Sequence, residues 1–327
     1  MRAVVLRSYG EPEVLGIAEV PDPVPGPDEV VVEIVSTALN RADLLQRRGL
    51  YPGPKMADEI PGLEFAGRVT ARGSRAELWP IGAAVMAIVG GGGHAERIAV
   101  HERQLLAVPG SVGIEDAGAV PEVFLTAWDA LVVQGGLTSG RWALVHAGAS
   151  GVGTAAIQIA KAIGARIMVT CSGGKVAACR ALGADAAVDY RQSDFVAEVL
   201  AATDGVGVDV VLDVIGGSYV DRNITCLAQK GRIVQVGVMG GGTTSVNVGL
   251  LMPKRASLIG TVLRARPLED KIVLTRRFAA EVLPLFGATG LHPVIDSRYP
   301  LERIADAHRH MEANANIGKI VIDVAAP

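Results

Sequence analysis

The stretch Ala143-Leu144-Val145-His146-Ala147-Gly148-Ala149-Ser150-Gly151-Val152-Gly153-Thr154-Ala155-Ala156-Ile157 decides the fold. An apolar strand enters, a turn carrying three glycines follows, and a helix leaves. The helix has apolar residues at Val152, Ala156, Ile159 and Ile163, in steps of four, three and four. One glycine relieves the turn, another lets backbone N–H groups approach a pyrophosphate, and the last lets the helix pack against its strand. The unpaired N–H groups and the helix dipole favour an anion. The spacing is G-x-x-G-x-G, not G-x-G-x-x-G. Its place at the first strand–helix junction of a βαβ series makes it a dinucleotide signal.

Working outward, the rhythm of strand, turn and helix recurs. Strands are predicted at Ala143–Ala147, Arg166–Cys171, Ala186–Asp189, Val208–Val214, Arg232–Val236 and Ser257–Thr261. Several are continuous Val/Ile/Leu runs, as in a parallel sheet covered on both faces. Six of them describe a doubly wound α/β domain. The first hundred residues differ. Val30–Val35, Phe65–Val69 and Ala84–Val89 are short strands between Gly/Pro turns, with helical periodicity only at Arg41–Arg47, which predicts an antiparallel, barrel-like domain. A helical stretch Leu268–Leu285 and a closing strand Lys319–Val324 are assigned to that first domain.

Composition narrows the function. The 327 residues are 50% hydrophobic, 20% charged and only 4% aromatic, which excludes disorder and gives no stacking platform for nucleic acid. The net charge of −3 argues against a polyanion binder. Mean hydropathy is +0.35, yet no apolar run reaches the roughly 18 residues of a membrane span. The start, Met1–Gly10, is too interrupted for a secretory signal and reads as a first strand. Cys171, Cys179 and Cys226 are an odd, scattered set, pointing to a reducing, cytoplasmic setting.

The second strand of the βαβ series bears on the dinucleotide. NAD sites place an acid about 20 residues past the glycines. Here Cys171 runs into Ser172-Gly173-Gly174-Lys175, and the first acid is Asp185. With a hydroxyl and an ammonium offered and no carboxylate in place, NADPH is expected over NADH. His94 with Glu96 is read as a solvated loop pair, and His308 with His310 as surface residues two apart on a helix.

The chain resembles the zinc-independent quinone oxidoreductase branch of the medium-chain dehydrogenase/reductase superfamily. The resemblance is carried by Ala38–Leu44, Ile60–Glu64, Gly91–Gly93, His146–Ile159, Ile215–Tyr219, Gly237–Gly242, Leu263–Arg266 and Met311–Lys319. It implies a GroES-like β-barrel domain from residues 1–122 and 265–327, a Rossmann NADP(H)-binding domain from 123–264, a homodimer and an interdomain active site. It further implies that Ser150, Gly151, Val152 and Gly153 hold the pyrophosphate. Ser172, Gly173, Lys175 and Tyr190 would surround the 2′-phosphate and adenine, while Thr126, Gly237, Met239, Leu263 and Arg264 line the nicotinamide half. Asn40, Asp43 and Tyr51 would face the substrate.

Zinc relatives use Cys, His and a further Cys or acid. Here Asn40 and Leu63 stand at the first two positions and no cysteine precedes Cys171, so three converging ligands are not expected. Without a Lewis acid, the site suits acceptors that are already electrophilic. Tyr51, with an ordinary pKa near 10, can donate a proton, and Asn40 can offer an amide N–H. Metal- and flavin-free quinone reduction is the expected function. The alternatives are an enone or enoyl-thioester reductase, or a non-catalytic NADPH-binding or RNA-associated protein.

Overall fold

The computed structural model describes residues 1–51 and 59–324. The chain divides into two compact units, Met1–Val123 with Leu263–Pro327, and Phe124–Val262.

The first unit begins with an antiparallel pair, β1 (Arg2–Leu6) and β2 (Leu15–Glu19). Strand β3 (Glu29–Leu39) follows, buried at most of its positions, and then helix α1 (Arg41–Arg47). Next come β4 (Glu64–Arg72), β5 (Ala84–Ile88), β6 (Arg97–His101) and β7 (Leu106–Ala107), then helices α2 (Ile114–Ala117) and α3 (Pro121–Trp128).

The second unit alternates strand and helix. In order these are β8 (Trp142–His146), α4 (Gly151–Ala162), β9 (Arg166–Cys171), α5 (Val176–Ala181), β10 (Ala186–Asp189) and α6 (Phe195–Ala202). β11 (Val208–Asp213), α7 (Tyr219–Thr225), β12 (Leu227–Gln235), α8 (Leu251–Lys254) and β13 (Ser257–Gly260) complete it. All neighbours pair in parallel, in the order β10-β9-β8-β11-β12-β13. This is the doubly wound sheet predicted, with its reversal between β8 and β11. Strand β12 starts five residues earlier than predicted, through a left-handed Lys230 (φ 62°) whose conformation the residue type does not signal.

The chain then returns to the first unit with α9 (Leu268–Glu281), α10 (Leu283–Ala288), β14 (Ile295–Pro300), α11 (Ile304–Glu312) and β15 (Lys319–Asp323). The single helix expected over Leu268–Leu285 is broken at Val282, because Pro284 has no N–H to continue the ladder and its ring crowds the preceding turn. Strand β3 organises the sheet of this unit. β4 takes one edge, and the other is shared between β6, along Glu29–Glu33, and β15, along Ser36–Leu39. That sharing brings Lys319, at the start of β15, to the end of β3.

Two histidine readings are corrected. His94 is fully buried, because its segment is fixed beneath β1: Val4 N–H donates to the His94 carbonyl at 2.9 Å and Ala3 bridges Ala95. His308 is also fully buried, since Ile304, Ala307, His308 and Met311 form the inward face of α11. The cysteines are free and buried. They are less scattered than the sequence implied, because Cys171 and Cys179 lie close enough to perturb each other's ionisation. No described helix is long and apolar enough to cross a membrane.

Candidate functional site

The glycine turn is built as an anion cradle. Ser150 caps α4, its hydroxyl accepting the Gly153 N–H at 3.1 Å. A Cβ on Gly153 would fall 2.5 Å from the Ala147 carbonyl oxygen, and one on Gly148 would fall 2.4 Å from Val169 Cβ, so both glycines are needed for close strand–helix packing. The topology brings Ser150, Gly151, Val152 and Gly153 after β8 to the same carboxyl edge of the sheet as Ser172, Gly173 and Lys175 after β9, Tyr190 after β10, and Gly237 and Met239 after β12. Thr126 lies in α3 with its Oγ1 buried and lacking a hydrogen-bond partner among the described residues. An orphaned hydroxyl and a capped glycine turn fit a bound dinucleotide.

The expectation that no carboxylate stands at the adenosine end is corrected. Asp185 plays no part there, since it pairs with Lys161 at 2.8 Å and accepts the Ile167 N–H at the start of β9. A different carboxylate does reach the turn. Asp189, at the end of β10, lies so close that a Cβ on Gly173 would sit 2.5 Å from its Oδ2. Reading the β9 turn alone missed it, because it arrives from the neighbouring strand. Tyr190 beside it is exposed, with the Arg191 guanidinium 5.7 Å over its ring.

In the first unit a buried polar cluster gathers around Asn40. Lys319 Nζ donates to Glu64 Oε1 at 2.7 Å, to Asn40 Oδ1 at 2.6 Å and to the Leu39 carbonyl at 2.8 Å. Asn40 Nδ2 also donates to Glu64 Oε1, at 2.9 Å, and the other Glu64 oxygen accepts the Glu122 N–H at 2.8 Å. Asp43, in the first turn of α1, accepts from Asn40 N at 2.8 Å and Gly62 N at 3.2 Å. Both ends of the Asn40 amide are thus engaged internally. Asn40 braces the site and does not hold out the free N–H that the sequence reading gave it, because burial requires a partner for each polar atom.

These residues do not fit a zinc centre. Asn40 and Glu64 already hold an ammonium, and Leu63 offers no donor. Among the described residues, no group of three or more His, Cys, Asp or Glu could hold a metal ion.

Tyr51 is half-buried and clamped by Arg264. The guanidinium lies 4.8 Å from the ring centroid and donates to the Tyr51 carbonyl at 2.9 Å, to the Gly90 carbonyl at 2.7 Å and to Gln46 Oε1 at 2.9 Å. Arg264 and Leu263, expected at the nicotinamide half, belong to this unit. Residues 52–54 of the Tyr51 loop lie outside the described residues. Burial, and then the charge of Glu122, push the phenol above its ordinary range. Glu122, in the first turn of α3, was not singled out from sequence. An acid at a helix start reads as an ordinary dipole contact, worth about 1 kcal/mol or less. Here burial, with the Glu64 charge second, prevails and pushes this carboxyl up to about 8.

Comparison with known proteins agrees with this construction. Residues 26–135 match the alcohol dehydrogenase GroES-like domain and residues 151–281 the zinc-binding dehydrogenase family. The quinone oxidoreductase of Pseudomonas aeruginosa is 32% identical, over 98% of this chain and 99% of that one. The structure of the Pseudomonas syringae pv. Tomato quinone oxidoreductase superposes with a TM-score of 0.89 at 30% identity, covering 99% of each chain. A phenolphthiocerol/phthiocerol polyketide synthase of Mycobacterium tuberculosis is 32% identical over 99% of this chain, which spans 15% of that protein's length. With an ammonium held where its metal-binding cousins would need ligands, and full-length similarity to quinone oxidoreductases, the chain belongs to the zinc-independent quinone oxidoreductase branch of the medium-chain dehydrogenase/reductase superfamily.

Proposed function

We propose that the chain is an NADPH-dependent reductase of quinones, acting without metal or flavin. The observation that carries this reading is the Arg264 clamp on Tyr51. A phenol whose pKa is raised by burial stays in its donating form at neutral pH, and its ring packs under the Arg264 guanidinium, which hydrogen bonds to the Tyr51 and Gly90 carbonyls and to Gln46 Oε1 fix in place. Such a donor serves an acceptor whose oxygen gains charge on reduction, and a quinone needs no Lewis acid to be electrophilic. NADPH, when bound, supplies a hydride. The Ser150–Gly153 turn would hold its pyrophosphate, and Ser172, Lys175 and Tyr190 its 2′-phosphate and adenine. Lys175 favours the phosphate while Asp189 opposes it, so the preference rests on the balance of the two.

The test is NADPH oxidation against a panel of ortho- and para-quinones, a simple enone and an enoyl thioester. Quinone turnover well above the others supports the reading. Turnover of the enone or thioester alone transfers the site to conjugated-alkene reduction, and no turnover of any acceptor removes the enzymatic reading.

A further inference from the structure

Four buried polar side chains form a line across the sheet of the second unit. Thr170 on β9, His146 at the end of β8, Asn223 in α7 and Asp213 at the end of β11 are each almost wholly buried. His146 Nδ1 lies 2.9 Å from Thr170 Oγ1, and His146 Nε2 lies 2.8 Å from Asn223 Oδ1. Asn223 Nδ2 donates to Asp213 Oδ2 at 2.9 Å. The other Asp213 oxygen accepts the Ile215 N–H at 2.6 Å and the Gly216 N–H at 3.0 Å.

The carboxylate at one end fixes the direction of every bond. It can only accept, so the Asn223 amide turns its nitrogen to Asp213 and its oxygen to His146. That oxygen requires the imidazole proton on Nε2, which leaves Nδ1 to accept from the Thr170 hydroxyl. Burial holds the ring in its neutral form. Phe195 and Tyr219 pack edge-on to it, with centroids at 4.9 and 4.8 Å, and fix its plane.

The line crosses the point where the strand order reverses. Val145 of β8 stands opposite Leu212 of β11, so His146 and Asp213 are the next pair outward, on the two strands that flank the crevice. Asp213 also ties in the loop after β12, its carbonyl accepting the Val236 N–H at 2.8 Å. The loop after β11 accepts from that neighbour twice more, Val214 O from Met239 N at 3.1 Å and Ile215 O from Gly240 N at 2.7 Å. Gly217 is left-handed (φ 54°), and a Cβ there would fall 2.5 Å from the Gly240 carbonyl oxygen. The two loops are thus locked together, with Asp213 as their anchor.

We propose that His146 is a positioning residue for the coenzyme: through Asn223 it holds the Asp213 carboxylate, and with it the paired loops after β11 and β12, in the conformation that receives the nicotinamide half of the dinucleotide. That this half lies against the β12 loop rests on the coenzyme reading above. The adenosine half falls to the turns after β8, β9 and β10, so the two halves respond differently when the line is broken.

The experiment uses the full chain with His146→Leu, His146→Gln and Asn223→Leu. Each is titrated calorimetrically with NADPH and with adenosine 2′,5′-bisphosphate, which carries the phosphorylated adenosine end alone. His146→Leu and Asn223→Leu are expected to weaken NADPH roughly tenfold, the scale of a buried polar group left unpaired, and to leave the fragment within about twofold. His146→Gln, whose amide can still donate to Asn223, is expected to restore most of the NADPH affinity. Nitrogen NMR of the unmodified protein is expected to show neutral His146 with its proton on Nε2 from about pH 6 to about pH 9. Equal losses for NADPH and the fragment, or no loss of either, overturn the proposal, as does a proton on Nδ1 or an imidazolium. That spectrum needs no variant, so it decides even where an apolar substitution prevents folding. Failure of the unmodified protein to bind either ligand overturns the coenzyme reading, whereas the NMR result still reports the line of bonds.

Discussion

The Lys319 ammonium and the Glu64 carboxylate lie 2.7 Å apart, with almost no solvent access to either side chain. They join the last strand of the first unit to β4, across β3. Removing one partner of such a buried pair leaves the other uncompensated, which typically costs about 3–5 kcal/mol. Lys319→Met is therefore expected to lower unfolding free energy by that amount in urea titration. Glu64→Gln combined with Lys319→Met is expected to recover most of the loss, since an amide without a buried charge opposite it has less to desolvate. A double variant as unstable as the single one would show that the lysine contributes by packing.

Tyr51 has a narrower role. Tyr51→Phe keeps the ring under the Arg264 guanidinium and the backbone carbonyl that Arg264 binds, and removes only the hydroxyl. Quinone turnover is expected to fall on the order of 100-fold, the scale of a lost proton donor. NADPH affinity by fluorescence titration is expected to stay within twofold, about 0.4 kcal/mol. Equal turnover by the two proteins would remove the phenol from the reaction.

Much of this was legible in the sequence, for reasons that separate local from tertiary information. The strand–turn–helix rhythm survives in β8 to β13 because parallel strands covered on both faces must be apolar throughout, and period and glycine placement record that directly. The α1 helix was visible for the same local reason. The Asn40 cluster was not. Lys319 lies 255 residues from Glu64 along the chain, and only the shared edge of β3 brings them together. Glu122 was hidden because its position alone looks like routine helix-start chemistry, and Asp189 because it comes from the strand next to the turn that was read. His308 was misplaced by weighing it only against His310; its spacing from Ile304, Ala307 and Met311 marks the inward face of α11.

At the adenosine end, two charges of opposite sign make opposite predictions. Lys175→Ala is expected to weaken NADPH binding about tenfold, the scale of a lost charge-assisted contact, and to leave NADH nearly unchanged. Asp189→Asn removes the opposing carboxylate and is expected to strengthen NADPH binding while weakening NADH. Isothermal titration of each variant with both coenzymes measures the four affinities. Parallel changes for the two coenzymes would show that neither residue meets the 2′-position.

The buried histidines make acid stability a further test of the first unit. Burial holds the His308 pKa at about 2, and it holds His94 below its ordinary value as well. The unfolded chain binds a proton at each near 6.5, whereas the folded chain stays neutral there, so the unfolded state gains protons as pH falls. Nothing is lost above about 6.5. Below it His308 alone costs about 1.4 kcal/mol per pH unit until its folded value is reached. His308→Gln retains an acceptor for Arg47 Nη1, which lies 3.4 Å from His308 Nδ1 in this structure. Its unfolding free energy, measured in urea at a series of pH values below 6.5, is expected to fall less steeply than that of the unmodified protein by that same increment per unit. Equal slopes would mean that the ring becomes protonated without unfolding, through local opening of α11, and that the inward face of this helix is less tightly closed than its burial indicates.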